Sequence, residues 1–406
     1  MFGSDGEFTR MWRKPGDLRS SYDVVIIGGG VHGLATAYYL AKHHGITNVA
    51  VLDRAYIGAG GSGRNTAIVR SNYRTAEGVP FYDESVKLYE SMAAELDINV
   101  MFSQHGHLTL AHTDRGINTL RERAEMNQIL GVNSRVIFPE EIKRLVPAMS
   151  LDTNPHYPVL AALYHPPGGI IRHDAVVWGY ARGADRLGVE IHPFTNVTGI
   201  VVRDGAVQTV QTNRGDIRCK YVLNATAGWC STICKMVNLD IPIVTHPLQA
   251  LVSERLKPFL DQVIVSATLH IYVNQTERGE LVIGQEIDPY SSYSQRSTLP
   301  FLEGAAAHTL ELFPCLREVK ILRQWGGLCD MTPDYSPIMG FVEGIKGFIL
   351  DVGWGTYGFK AGPVSGKRIA ELIATEKTPN LIAPFALSRF YNDTLVGEKA
   401  AASVSS

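Results

Sequence analysis

Three glycines, Gly28, Gly30 and Gly33, followed twenty residues later by Asp53, form a pattern able to hold a diphosphate and a ribose. Each residue type has a physical task. Gly28 permits a tight turn, Gly30 lets the backbone approach an anion, and Gly33 lets a helix pack closely on a strand. Val31 and His32 complete the seat of the diphosphate, and the helix that follows directs free N–H groups and a positive dipole end at it. Asp53 accepts hydrogen bonds from the ribose hydroxyls. A glycine triplet alone marks many turns, so it carries weight only if the right elements surround it.

Those elements are present. Residues 22–27 are a short apolar run suited to a buried parallel strand, residues 34–44 read as a helix, and residues 49–53 form a second strand ending in the acid. Strand, glycines, helix, strand and acid in this order predict an α/β dinucleotide-binding fold. Three further segments favour FAD over NAD. Residues 58–66 (Gly-Ala-Gly-Gly-Ser-Gly-Arg-Asn-Thr) offer a loop of donors that includes Gly61, Ser62, Asn65 and Thr66, and Val197 is counted with them as a cofactor contact. Residues 218–229 read as a strand running into a small-residue turn. Residues 346–352 read as a late strand feeding Gly353-x-Gly355-x-x-Gly358, with a helix from 364 to about 375. A late strand and second glycine turn imply that the chain returns to its first sheet, with Gly355 and Gly358 facing the flavin ring or ribityl chain. The alternative for that turn, taken alone, is a mobile loop.

The fold class that results is a Rossmann-like FAD-binding domain of the glutathione-reductase type, joined to a substrate domain with a mainly antiparallel sheet. The FAD domain is expected to be discontinuous, with residues 20–93, 155–241 and 327–383; the substrate domain takes 94–154 and 242–326. Alternating patterns at 248–252 and 281–287 suggest a sheet roofing the flavin. An N-terminal arm (1–19) and C-terminal tail (384–406) either grip partner subunits or lack order.

With 406 residues the chain exceeds what one core usually serves. Its formal charge of −2 gives no general attraction to nucleic acid or an anionic membrane. The first twenty residues lack an apolar signal region, and no run of eighteen apolar residues occurs; a cytoplasmic protein is expected. The five cysteines, with Cys230-x3-Cys234 lacking a second pair, read as free thiols. His43-His44 closes the first helix and suits its dipole. His105-x-His107 has no nearby third ligand, so no metal site is expected.

The fingerprint, the loop 61–66, the Ala225-Thr-Ala-Gly228 turn and the segment Gly355-Thr-Tyr-Gly-Phe-Lys360 together resemble the D-amino acid oxidase and sarcosine oxidase flavoprotein family, over residues 22–376. Residues 164–175, which include His173, are most similar to the beta subunits of its heterotetrameric members. The resemblance implies that FAD takes a hydride equivalent from the carbon beside a secondary amine. For sarcosine it implies glycine, formaldehyde (or methylene-tetrahydrofolate) and hydrogen peroxide as products. It also implies a covalent FMN on His173, electrons relayed to it from FAD and then to oxygen, and alpha, gamma and delta partner subunits, with tetrahydrofolate and NAD on a partner only.

By the same resemblance, Arg70 and Lys360 bind the carboxylate of sarcosine or a similar small amino acid, and Tyr272 is a candidate wall of the pocket or simply sheet core. Otherwise Arg70 would pair with an acid and Lys360 lie at the surface. His173 just precedes an amphipathic segment, 175–187, with Asp174 as helix N-cap; an imidazole nitrogen is a competent nucleophile toward an oxidised flavin methyl. Relatives with covalent FAD carry a cysteine four residues before the Met of Met331-Thr-Pro-Asp334; here Gly327 stands there and Cys329 is two positions off, so FAD is expected to be non-covalent. Val282 replaces an oxygen-activating lysine and Glu286 an active-site histidine, so reduced FAD is expected to react poorly with oxygen. Two alternatives stay open: a D-amino acid or proline-type dehydrogenase subunit, and a flavin electron-relay subunit without a substrate pocket.

Overall fold

The computed structural model describes residues 10–14, 16–151 and 157–398. Residues 1–9, 15, 152–156 and 399–406, parts of the arm, the 94–154 and 155–241 segments and the tail, lie outside them, as does the side chain of Glu286.

Two eight-stranded sheets organise the chain. In the first, Ser21–Ile27 lies between Gly215–Asn224 and Val49–Leu52, parallel to both. Glu190–His192 and Phe348–Val352 extend this parallel core on either side, and Ile338–Phe341 closes one edge antiparallel. Both faces of the central strand are buried, which is why it reads as a continuous apolar run. Val24 and Ile26 enter one core cluster; Tyr22, Val25 and Ile27 enter another. Helices Val31–His44, His173–Arg186 and Gly358–Thr375 share the first of these clusters.

The second sheet runs from Ile321–Met331 through Val244–Arg255, Glu280–Ile287, Ile271–Gln275, Val263–Ser266, His107–Ala111 and Ala161–His165 to Arg135–Ile137. All pairs are antiparallel except His107–Ala111 with Val263–Ser266. One face buries Leu108, Leu110, Ile264, Ile271 and Val273, with Phe301 and Ala305 of helix Leu299–Leu312 in the same cluster. The intervening residues His107, Val265 and Tyr272 point the other way, into a cavity against the first sheet.

Several boundaries differ from those read off the sequence, four of them for a local reason. The first helix begins at Val31 rather than residue 34, because Gly30 is extended (φ −88°, ψ −174°) and Val31 N–H donates to Ser62 Oγ. The last helix begins at Gly358, not 364, although Pro363 sits inside it. Proline removes the N–H that the Phe359 carbonyl would accept. The Tyr89 hydroxyl donates to that carbonyl at 2.6 Å instead, and Ser85 donates to the Lys360 carbonyl at 2.6 Å. Asp174 is not the N-cap of its helix: Arg172 is, and Asp174 lies in the first turn, bound bidentately by Arg172. The strand expected from His270 starts at Ile271, since His270 is left-handed (φ 51°).

The described parts of the arm and tail are fastened to this chain. Arg13 pairs with Asp185, and Arg389 forms a buried ion pair with Asp334 at 2.8 Å. Glu398 accepts from the Arg74 and Thr75 amides. No helix among the described residues is long and apolar enough to cross a membrane.

Candidate functional site

The two sheets enclose a cavity of about 520 Å³, within the ordinary range for cofactor pockets of roughly 300–1,000 Å³. Gly28, Gly30, Val31, His32, Asp53, Gly61, Ser62, Asn65, Thr66, Arg70, Val197, Tyr272, Gly355, Gly358 and Lys360 all line it. Gly33 packs beneath and His173 lies outside.

The glycine cradle leaves no room for side chains. Gly28 is held at φ +117°, and a Cβ there would stand 2.3 Å from the Ala225 carbonyl oxygen. A Cβ on Gly33 would lie 2.1 Å from the Gly28 carbonyl oxygen. No acidic residue occupies the first turn of helix Val31–His44, so nothing negative competes for its N-terminus. Asp53 accepts from the Gly29 and Ala55 amides at 2.8 Å each, which orients its carboxylate at the cavity edge. Beside it Arg54 lies 3.8 Å over the Trp229 ring, both residues lining the cavity, and Trp229 stacks on Tyr293. Sequence reading missed this contact, because Arg54, Trp229 and Tyr293 come from distant turns.

The second glycine turn is tied to the first helix through His32. Its Nδ1 lies 3.1 Å from Asp351 Oδ2 and its Nε2 is 2.8 Å from the Gly358 carbonyl oxygen. Burial opposes charge on His32, but Asp351 outweighs it and raises the imidazole above its ordinary pKa. Asp351 also accepts from Trp354 and Ser365. Nearby Asp330 is pushed up to about 6 by burial, although the Gly353 amide donates to it. Thr356 Oγ1 is buried in the cavity wall without a hydrogen-bond partner, as expected where a polar cofactor edge is to be seated. The cradle, the oriented acid and this orphan hydroxyl together fit FAD.

At the far end Arg70 and Lys360 are 4% and 8% exposed. Arg70 Nη1 donates to the Asn72 carbonyl and side chain, and its guanidinium lies 4.4 Å over Tyr73; these partners are neutral. Lys360 Nζ is 3.5 Å from the Thr356 carbonyl oxygen. Burial and then the Arg70 charge push the Lys360 ammonium down to about 7. Neither the surface lysine nor the acid-paired arginine considered from sequence is found. Two positive charges share a nearly dry wall, an arrangement that calls for an anion.

Tyr272 faces the same space, where burial raises its hydroxyl pKa and the nearby Thr66 side chain lowers it. The ring lies flat over Gly284, where a Cβ would stand 2.0 Å from Tyr272 Oη. Val282, expected beside the flavin, does not line the cavity; it pairs with Val252 and Asn274 within the sheet. Gly327 and Cys329 both line it, and burial raises the Cys329 thiol well above its ordinary pKa, keeping it a poor nucleophile. Arg64, in the loop after Gly61, also reaches the cavity, and so does His107. His173 is half-buried at the first position of its helix, with its ring edge-on to Phe359 at 6.4 Å; Phe359 itself lines the cavity.

Comparison with known proteins agrees with this geometry. Residues 23–372 match the model of the FAD dependent oxidoreductase family. The chain is 43% identical over 97% of its length to sarcosine oxidase subunit beta of Arthrobacter sp, covering 97% of that protein. It is 44% identical over 96% of its length to sarcosine oxidase subunit beta of Rhizobium meliloti (strain 1021), covering 92% of it. Among solved structures, L-proline dehydrogenase from P. horikoshii is 28% identical with a TM-score of 0.88, over 93% of this chain and all of that one.

Proposed function

The chain belongs to the family of FAD dependent oxidoreductases, within the group that contains the sarcosine oxidase beta subunits, and from this premise we propose that it oxidises sarcosine or a close secondary amino acid as the beta-type subunit of a larger enzyme. The observation that carries the reading is the pair Arg70 and Lys360, two buried cations with neutral partners in the wall of the cavity that carries the dinucleotide cradle.

Gly28–Gly33, Asp53 and the Gly355–Gly358 turn would hold FAD non-covalently and His173 would hold FMN; together the flavins would supply an acceptor for a hydride equivalent from the N-methyl carbon and a route for its electrons to oxygen, so that sarcosine, water and oxygen would give glycine, formaldehyde and hydrogen peroxide. The residues of this chain orient the substrate. The Arg70 fork and the Lys360 point charge hold the carboxylate, which leaves the N-methyl end directed along the cavity. Tyr272, packed over Gly284, walls the substrate in. The roof sheet excludes water, which strengthens both charge contacts. The half-buried His173, separated from the cavity by Phe359, suits a second flavin between this chain and an alpha subunit, with gamma and delta subunits completing the assembly and folate and NAD bound on a partner.

Replacing Arg70 and Lys360 together by Met in the assembled, flavin-loaded complex tests the reading. Anaerobic sarcosine should no longer bleach the FAD at concentrations that reduce the unaltered enzyme; unchanged reduction would support the electron-relay reading instead. The likeness to an L-proline dehydrogenase supports a second substrate reading, because a cyclic secondary amine presents the same carboxylate. Comparing FAD reduction by sarcosine and by L-proline decides between them.

A further inference from the structure

Resting on the reading of Arg70 and Lys360 as a carboxylate clamp, we propose that His107 is a third binding residue of that site, donating a ring N–H to the substrate carboxylate. Strand His107–Ala111 sends Leu108 and Leu110 into the core and His107 into the cavity. The imidazole is 1% exposed, yet neither Nδ1 nor Nε2 has a hydrogen-bond partner. Leaving both polar atoms of a buried ring unmade is costly, and a ligand in the cavity is what would satisfy them.

The charges around the ring decide between two roles. Burial first, then Arg70, Arg123, His165 and Lys360, hold the imidazole well below its ordinary pKa. No carboxylate is among these influences, and His165 is itself engaged with the Asn133 carbonyl and the Ser71 amide. Such a ring is a poor base for taking a proton from a substrate ammonium. It is a good neutral donor, carrying one N–H and one lone pair. A carboxylate offers about four lone-pair sites. Arg70 already spends Nη1 on Asn72, and Lys360 is a single point charge, so the anion has capacity for a further donor.

The test uses the assembled, flavin-loaded enzyme and methoxyacetate, an isostere of sarcosine whose ether oxygen replaces the amine, so that nothing can be deprotonated or oxidised. Its binding is read from the perturbed flavin absorbance, and sarcosine is followed by anaerobic FAD reduction. His107→Phe should weaken both ligands by about 10- to 100-fold, the worth of a hydrogen bond to a charged group. The limiting reduction rate and its pH profile should be kept, and His107→Asn, which retains an N–H, should recover part of the affinity. Unchanged methoxyacetate affinity overturns the proposal. So does a collapsed limiting rate with a shifted pH profile, which would make the residue a base, or loss of flavin from both variants, which would place it on the cofactor or the fold. If methoxyacetate fails to bind the unaltered enzyme, or binds equally well to Arg70→Met, the clamp reading itself falls. Binding that depends on Arg70 but not on His107 sinks only the present inference.

Discussion

At the scale of single residues, the chemistry is set by buried positive charge. Lys360 titrates near 7 because burial and Arg70 both disfavour its ammonium, so the charge that would grip a carboxylate is present at neutral pH and below. A group with a depressed cationic pKa loses its proton as pH rises, and an anion bound beside it raises that pKa again. Carboxylate affinity is therefore predicted to fall as pH rises through about 7, by up to about tenfold per unit, a dependence that a titration of methoxyacetate across pH measures. Lys360→Met should abolish that slope and weaken binding by about 10- to 100-fold at pH 6. The same loss of charge acts on folding. The unfolded lysine, with a pKa of about 10.4, binds a proton that the folded one gives up, so ligand-free stability should rise between about pH 7 and 10 from this residue.

At the scale of elements, the site depends on where backbone is allowed to pass. Gly28→Ala forces a left-handed, sterically closed position, with its Cβ against the Ala225 carbonyl. We predict loss of FAD from the purified protein and destabilisation of about 1–3 kcal/mol, measured by flavin content and denaturant unfolding. Gly284→Ala should act on the other sheet. Its methyl would displace the Tyr272 ring from the cavity wall, so FAD should stay bound while the apparent affinity for sarcosine drops. Helix Gly358–Thr375 depends on a hydroxyl, because Pro363 leaves the Phe359 carbonyl to Tyr89. Tyr89→Phe should cost about 1–3 kcal/mol in unfolding experiments, the penalty for a buried unsatisfied acceptor.

At the scale of the whole molecule, the cavity is the space between one parallel and one largely antiparallel sheet, and no single segment contains it. This explains what could be read from the sequence. The cradle was legible because its glycines, helix and acid lie within about thirty residues and each has a local backbone reason. Arg70 and Lys360 were named only through family resemblance, since nothing near either announces a 290-residue closure. His107 is weighed in the sequence only as a metal ligand, because its place in the cavity follows from a parallel register with Val263 and an antiparallel one with His165. The early start of the last helix was hidden by Pro363, whose missing bond is repaired from another helix. Distant closures also hold the tail, where Asp334→Ala would leave the Arg389 guanidinium buried and unpaired. That change should cost about 3–5 kcal/mol in denaturant unfolding.

Central to the proposed function, a sarcosine carboxylate clamped by Arg70 and Lys360 places the N-methyl C–H at an FAD seated on the first βα turn. The most direct measurement is anaerobic mixing of the assembled, flavin-loaded enzyme with sarcosine, recording the oxidised-flavin band in the unaltered protein and in Arg70→Met. Rapid bleaching of FAD is expected in the first, and a large rise in the half-saturating sarcosine concentration in the second. Oxidised FAD that persists with saturating sarcosine and with L-proline, or bleaching indifferent to Arg70, would contradict it.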